Sequence, residues 1–303
     1  MTHAQHTTPS EKNFFHIPFF MPPAADVFAR RAERFDQLAA DEGSSWRDYL
    51  AMLATVCRAQ HQVLTSQNWV DAQVGEYLPQ ADGQAIPEAL FAVFQAFQTA
   101  LSHSPLPAEA SSRLSALAQW DQQAWQELAA QVLQGEYDDS RQADALWIQA
   151  AAQIWWTAQA ISLSEDDVPT REERRFCPCC GSEPTASVVL NGGELDGLRY
   201  LHCPTCNSRW HALRAKCTFC GDQSGISLQT LESAKQPVYQ AARAESCEAC
   251  HAYRKLFLLR EQISADPVAD DLASLALDIL MGESGYARGG HNPFLVSEES
   301  CGE

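Results

Sequence analysis

The 303-residue chain lacks any uninterrupted apolar run of about 18 residues, the length a helix needs to cross a bilayer. Its first residues, MTHAQHTTPSEKNFFHIPFF, carry no basic stretch ahead of an apolar one, and Pro18, Pro22 and Pro23 interrupt the apolar residues there, so no signal peptide is expected. The reading is a soluble, cytoplasmic protein without a membrane partner. Enzyme signatures are also missing: there is no Gly-x-Ser-x-Gly elbow, Walker loop or dinucleotide fingerprint, and no enzyme is expected. Positive charge is scarce. With 21 Lys and Arg against 39 Asp and Glu, the net charge of −18 argues against a general nucleic-acid or anionic-membrane binder, which needs a basic footprint.

What the chain does have is cysteine, 11 in all, mostly in four Cys-x-x-Cys pairs. These are Cys177/Cys180 in CPCCG, Cys203/Cys206 in CPTC, Cys217/Cys220 in CTFCG and Cys247/Cys250 in CEAC. In a reducing cytosol such pairs serve as metal ligands or redox groups rather than disulfides. One pair lets two sulfurs reach one ion, and two pairs complete a tetrahedral four-cysteine site. The segment repeats itself: FCPCCGS…RYLHCPTCNSRW is followed by KCTFCGD…ARAESCEACHAY, each half with a pair, a glycine, a loop and a second pair. The partition expected is therefore sequential, with Cys177, Cys180, Cys203 and Cys206 in one site and Cys217, Cys220, Cys247 and Cys250 in the other. A cross-braced pairing is the alternative. Gly181 and Gly221 allow the tight turn after the second sulfur. Four thiolates suit zinc or a single iron, so two metal ions per chain are expected, iron or zinc, with an iron–sulfur cubane a weaker option.

The other candidates have plainer readings. Cys179 is read as a spare thiol, with replacement of Cys180 as ligand the alternative, Cys57 as a small core residue, and Cys301 as part of a tail. His202, His211 and His251 flank the pairs, but eight cysteines already suffice. Residues 171–260 hold 12 Lys and Arg against 9 Asp and Glu, so the scarce positive charge gathers around the cysteines. Arg174, Arg199, Arg209, Arg214, Lys216 and Arg254 are read as offsetting thiolate charge. Arg209, Trp210 and Arg214, between the two repeats, are candidates for contacting a partner, because Arg and Trp favour binding hot spots.

The remaining sequence supplies the frame. Ser44–Leu64, Ile86–Leu101, Arg113–Leu133 and Asp144–Ile161 show apolar residues at helical spacing, which predicts a bundle of about five helices, with Ser44 or Ser45 as an N-cap. ASVVL and LRYLHC read as strands. DPVADDLASLALDIL reads as one late helix with Val268, Leu272, Leu275, Ala276 and Ile279 on a shared face. It packs on the bundle or braces the cysteine region, with Asp270 and Asp271 solvated and Asp266, Asp270 and Asp278 as a polar contact surface. The fold class expected is α+β multidomain: a helical bundle over 1–170, tandem rubredoxin-like or zinc-ribbon-like modules over 171–215 and 216–262, and a C-terminal helix and tail over 263–303.

On the residues CPCCGSEPTAS, RYLHCPTCNSRWHALRAKCTFCG, SCEACHAYRK and DPVADDLASLALDILMGESGYARGGHNP, the chain resembles the formate dehydrogenase accessory (formation) proteins of the FdhE type. The resemblance is strongest from about Arg174 to Pro293. It implies a cytoplasmic, non-catalytic assembly chaperone acting on the catalytic subunit of respiratory formate dehydrogenase before export, built from a helical domain and two rubredoxin-like modules. A zinc-ribbon adaptor for nucleic acid or transcription machinery, and a rubredoxin-like electron carrier, are the competing readings.

Overall fold

The computed structural model describes residues 16–41, 44–70, 80–169, 175–231 and 237–295; Arg174 and Cys301 lie outside them. Six helices come first: α1 (Val27–Ala39), α2 (Arg47–Ser66), α3 (Ala89–Leu101), α4 (Ala108–Leu117), α5 (Gln122–Gln134) and α6 (Gln142–Ile161). The centre of this bundle is α6. Its sequence, QADALWIQAAAQIWWTAQAI, has one charged residue and is buried on nearly all sides, as expected of a helix apolar around its whole circumference. Trp147, Trp155 and Trp156 are 0–1% exposed, whereas Trp46, at the start of α2, is 39% exposed.

Two features depart from the periodicity. Arg113–Leu133 is two helices, because Asp121 caps α5 by accepting the Ala124 N–H at 2.8 Å. The apolar phase runs across that break unaltered, which hides it. Neither predicted serine caps α2: the Ser44 hydroxyl accepts the Trp46 N–H at 3.2 Å, in the turn before the helix begins at Arg47.

The second half is strand-rich. The strands are β2 (Ala186–Val189), β3 (Arg199–His202), β4 (Arg209–Ala212), β5 (Ile226–Gln229), β6 (Ala242–Cys247), β7 (Ala252–Leu258) and β8 (Ala287–Arg288), with β1 (Phe20–Met21) preceding the bundle and a short helix α7 (Pro237–Ala241) before β6. Each cysteine repeat makes a three-stranded antiparallel sheet, β2-β3-β4 and β5-β6-β7. They are not separate beads. Parallel pairing of β2 with β7, with Val188 opposite Phe257, joins them into one sheet of order β1-β4-β3-β2-β7-β6-β5, and β8 adds beside β7. The β4 edge is covered by β1, with Phe20 opposite Trp210. No partner strand covers β5 among the described residues.

The late helix also divides, into α8 (Ala269–Ala273) and α9 (Leu275–Glu283). The Ser274 hydroxyl donates to the Asp270 carbonyl at 2.7 Å and Lys255 Nζ donates to that of Asp271 at 2.7 Å, so side chains take the acceptors a continuing helix would use. The break rotates the face. Val268 and Leu272 are buried as expected, but Ile279 is 62% exposed, and Leu277 and Met281 pack instead against Tyr253 and Phe257 of the sheet.

Asp270 and Asp271 are not solvated; both are 0% exposed. Asp270 pairs with Arg34 of α1, while Asp271 takes Arg288 and Lys255. Asp266 accepts from Arg31 Nε at 2.9 Å, and Asp278 pairs with Lys255 and Arg288. The expected acidic contact surface is thus turned inward and spent on buried ion pairs. Those pairs tie α8 to α1 and α9 to the sheet.

Candidate metal centre

The eight cysteines expected as ligands come together in two groups, Cys177–Cys180–Cys203–Cys206 and Cys217–Cys220–Cys247–Cys250, the sulfurs within each lying within 4.8 Å of one another. This is the sequential arrangement. Cys177 Sγ lies 3.5 Å from Cys206 Sγ and Cys180 Sγ 3.5 Å from Cys203 Sγ; the matching distances in the second group are 3.8 and 3.7 Å. A tetrahedral ion with sulfur bonds of about 2.3 Å would set its sulfurs about 3.8 Å apart. Each cluster therefore has the number, type and spacing of donors to hold one metal ion.

The local backbone explains how the sulfurs converge. After each pair the chain enters the left-handed region: Gly181 at φ 79°, Asn207 at 59°, Gly221 at 80° and His251 at 52°. The Gly181, Gly221 and His251 N–H groups return to the carbonyls of Cys177, Cys217 and Cys247 at 3.0, 3.1 and 2.9 Å. Backbone N–H groups also point at sulfur, from Cys206 to Cys203 Sγ and from Phe219 to Cys217 Sγ, each at 3.4 Å. Glycine meets the left-handed requirement at two of the four turns. At the other two, Asn207 and His251 occupy the equivalent position, one residue after the second cysteine of the pair.

The surroundings of the two clusters differ. All four cysteines of the first are buried and belong to the bundle's core. Ala81 donates its N–H to the Cys180 carbonyl at 2.9 Å, and Gln153 Nε2 on α6 donates to the Pro204 carbonyl at 2.7 Å. Asn207 accepts from Arg31 Nη2 at 2.7 Å and donates to Thr157 Oγ1 at 2.8 Å. These polar residues inside the bundle are ones the periodicity could not flag as functional, because their partners are more than 50 residues away or nearly so. In the second cluster Cys217 and Cys247 are buried, Cys250 is half-buried and Cys220 is exposed; none joins a hydrophobic core cluster.

The first cluster's electrostatics suit a cation. Burial raises the Cys177 and Cys203 thiols well above the ordinary thiol range. Against the same upward push of burial, hydrogen bonds from Cys177, Cys179, Cys180 and Cys203 hold Cys206 well below it. Metal binding requires deprotonated sulfur. Cys179 lies outside the four-sulfur group yet is buried, with its thiol hydrogen-bonded to Cys177 and Cys206. His202 is also no member of the cluster: burial, then Arg209 and Arg31, lower its pKa to about 3, so the ring stays neutral beside Arg31.

Family models match nearly all of the described residues. The FdhE N-terminal model matches residues 17–172, the FdhE central domain 176–214 and the FdhE C-terminal domain 215–295. The chain belongs to the FdhE family. It is 35% identical to the protein FdhE homolog of Pseudomonas aeruginosa over 292 residues, covering 92% of this chain and 93% of that one. It is 32% identical over 293 residues to protein FdhE of Escherichia coli O1:K1 / APEC, covering 93% and 92%. The crystal structure of the FdhE protein from Pseudomonas aeruginosa superposes with a TM-score of 0.82 at 32% identity, over 94% of this chain and 100% of that one.

Within this FdhE fold the three residues between the repeats take different positions. Trp210 is 0% exposed, in the core, opposite Phe20 of β1. Arg209 is half-buried, its charged form disfavoured by burial and by Arg30 and Arg31 while Asp266 supports it. Arg214 is exposed, with Nη1 donating to the Gly197 carbonyl at 3.3 Å. Arg199, read as a counter-charge to thiolate, instead pairs with Glu245 at 2.8 Å and donates to Ser187 Oγ. Among the described residues, no helix is long and apolar enough to cross a membrane.

Proposed function

We propose that this FdhE-family chain is a non-catalytic assembly chaperone for formate dehydrogenase, acting in the cytoplasm on the catalytic subunit, with Cys177, Cys180, Cys203 and Cys206 holding one metal ion and Cys217, Cys220, Cys247 and Cys250 a second. The observation that carries the reading is the gathering of eight cysteines into two four-sulfur groups in a chain that matches the FdhE family throughout. Four cysteine sulfurs complete a tetrahedral shell, which leaves no position for a substrate and suits a structural or redox role. Zinc would serve as a clip. A single iron would add one-electron chemistry without changing the ligands.

The modules, rather than the bundle, are the proposed docking region, because they carry the exposed arginine and the accessible cluster. Arg214 is the contact residue proposed there, Arg209 a partly buried neighbour, and Trp210 the buried support beneath them. The test is co-purification of the tagged chain with the formate dehydrogenase catalytic subunit, alongside formate dehydrogenase activity in cells deleted for this chain. Arg214→Ala should weaken both while metal content and melting temperature stay unchanged. Full capture of the subunit by Arg214→Ala would remove this face from the docking site, and no capture by the unaltered chain would contradict the chaperone reading.

A further inference from the structure

The two clusters differ in what can reach them, and one cavity accounts for the difference. A space of about 470 Å³ opens between the end of β4 and the Cys217–Cys220 turn, and both of those cysteines line it. Arg175, Lys216 and His211 line it as well, with the exposed Leu213 and with Phe219. Among the described residues, no carboxylate does. Of the two carboxylates that act on its back wall, Glu183 pairs with the lining Arg175 at 3.0 Å and offsets its charge, and Glu245 pairs with Arg199 at 2.8 Å, so the positive charge left at the mouth is that of the exposed Lys216.

Behind Phe219 stands Arg254, its guanidinium carbon 4.3 Å from the ring centroid. Arg254 is 1% exposed, and its three side-chain nitrogens find no hydrogen-bond partner among the described residues. Burial and the charges of Arg199 and Arg175 lower its pKa to about 9, still charged at neutral pH. Gly289 lies against the tip of the Phe219 ring, where a Cβ would fall 1.9 Å from Cζ. The cavity therefore brings fixed positive charge and two sulfurs of the second cluster to one solvent-open space. The four cysteines of the first cluster are all buried.

Resting on the reading that both clusters hold metal, we propose that this cavity is a port through which an anionic, thiolate-bearing ligand reaches the second cluster, so that the second ion exchanges with solution and the first does not. Exchange there is a substitution. One thiolate takes the place of another on the ion, no electron is transferred, and the displaced Cys220 sulfur takes up a proton from water. Lys216 speeds the approach of the anion, because a cationic cleft raises association rates for the opposite charge by about 10- to 1,000-fold.

The test uses the full chain loaded with zinc, challenged with two dithiols of different charge, dimercaptosuccinate and neutral dithiothreitol, with released zinc read by a chromogenic indicator. Dimercaptosuccinate should release one ion at least about tenfold faster than the other. Alkylation during the fast phase, located by mass spectrometry, should fall on Cys217, Cys220, Cys247 and Cys250. Lys216→Glu, at an exposed position, should slow that phase with dimercaptosuccinate and leave the dithiothreitol rate unchanged. Release of both ions at one rate, first labelling of Cys177 or Cys203, or an equal effect of Lys216→Glu on both dithiols would overturn the port. Fewer than two ions per loaded chain would overturn the metal reading, and the port with it.

Discussion

The two cysteine modules share a plan, pair–strand–strand–pair–strand, and the same turn after every pair, but the chain treats them differently. In the first, the outer strand β4 is covered by β1, the cysteines join the bundle core, and side chains from α1 and α6 bond to its turns. In the second, β5 carries an open edge among the described residues, and one cysteine is exposed. A module of this size has too little core to stand alone, so an ion held by its four cysteines would supply much of its folding energy. The first module has a second source of stability, the bundle, and in return becomes part of the bundle's own interior. The comparison teaches that sequence repetition fixes the local turn, whereas burial decides what losing the ion costs the rest of the molecule.

The largest expected effect separates the modules by paired substitution. Cys177→Ser with Cys180→Ser should remove one ion, leave polar groups stranded inside the bundle core and lower the melting transition of the helical domain as seen by circular dichroism. Cys217→Ser with Cys220→Ser should also remove one ion while the helical transition stays nearly in place. Equal helical destabilisation by both pairs, or loss of both ions from either, would break the comparison.

A smaller effect is expected at the left-handed turn residues. Asn207→Ala leaves Thr157 Oγ1 without its donor and Arg31 Nη2 with only the 3.3 Å contact to His202 Nε2, at a cost of about 1–3 kcal/mol in urea unfolding of the metal-loaded chain. Asn207→Gly keeps the backbone conformation and should recover only the part of that loss due to strain. The equivalent His251→Gly in the second module should change stability by less than about 1 kcal/mol, since glycine accepts φ 52° and His251 is exposed.

The smallest effect concerns acid. Burial alone would raise the Asp271 carboxyl, but Arg288 and Lys255 hold it below its ordinary range. A depressed folded pKa contributes stability that is fully present above the unfolded value of about 3.9 and is lost as pH falls below it. Asp271→Asn should therefore lower stability at neutral pH and flatten its decline below about pH 4, measured by urea unfolding across that range. An unchanged acid slope would show that the aspartate tying α8 to the sheet carries no net weight.

How much of this was readable beforehand follows from sequence distance. The four pairs and their sequential grouping were legible because each turn is local and the repeat brackets its own partners. The helical bundle was legible from apolar spacing. The α4–α5 and α8–α9 breaks were not, because Asp121 and Ser274 act through single hydrogen bonds that leave the apolar phase intact or rotate it late. Asp270 and Asp271 looked solvated because Arg34, Lys255 and Arg288, which make their burial tolerable, are distant or unmarked in sequence. The β2–β7 junction and the addition of β1 are long-range pairings that no local pattern announces. Asn207 had a readable signal: it follows its pair as Gly181 and Gly221 follow theirs.

The most direct test of the account is native-state hydrogen–deuterium exchange on the zinc-loaded full chain, resolved to peptides covering the four turns. Amides in the Cys177–Gly181 and Cys203–Ser208 turns should exchange as slowly as those of α6, because they open only when the bundle opens. Those in the Cys217–Asp222 and Cys247–His251 turns should exchange well before α6. Equal protection of all four turns, or earlier exchange in the first pair of turns than in the second, would contradict the division of the molecule into a module built into the bundle and a module built onto it.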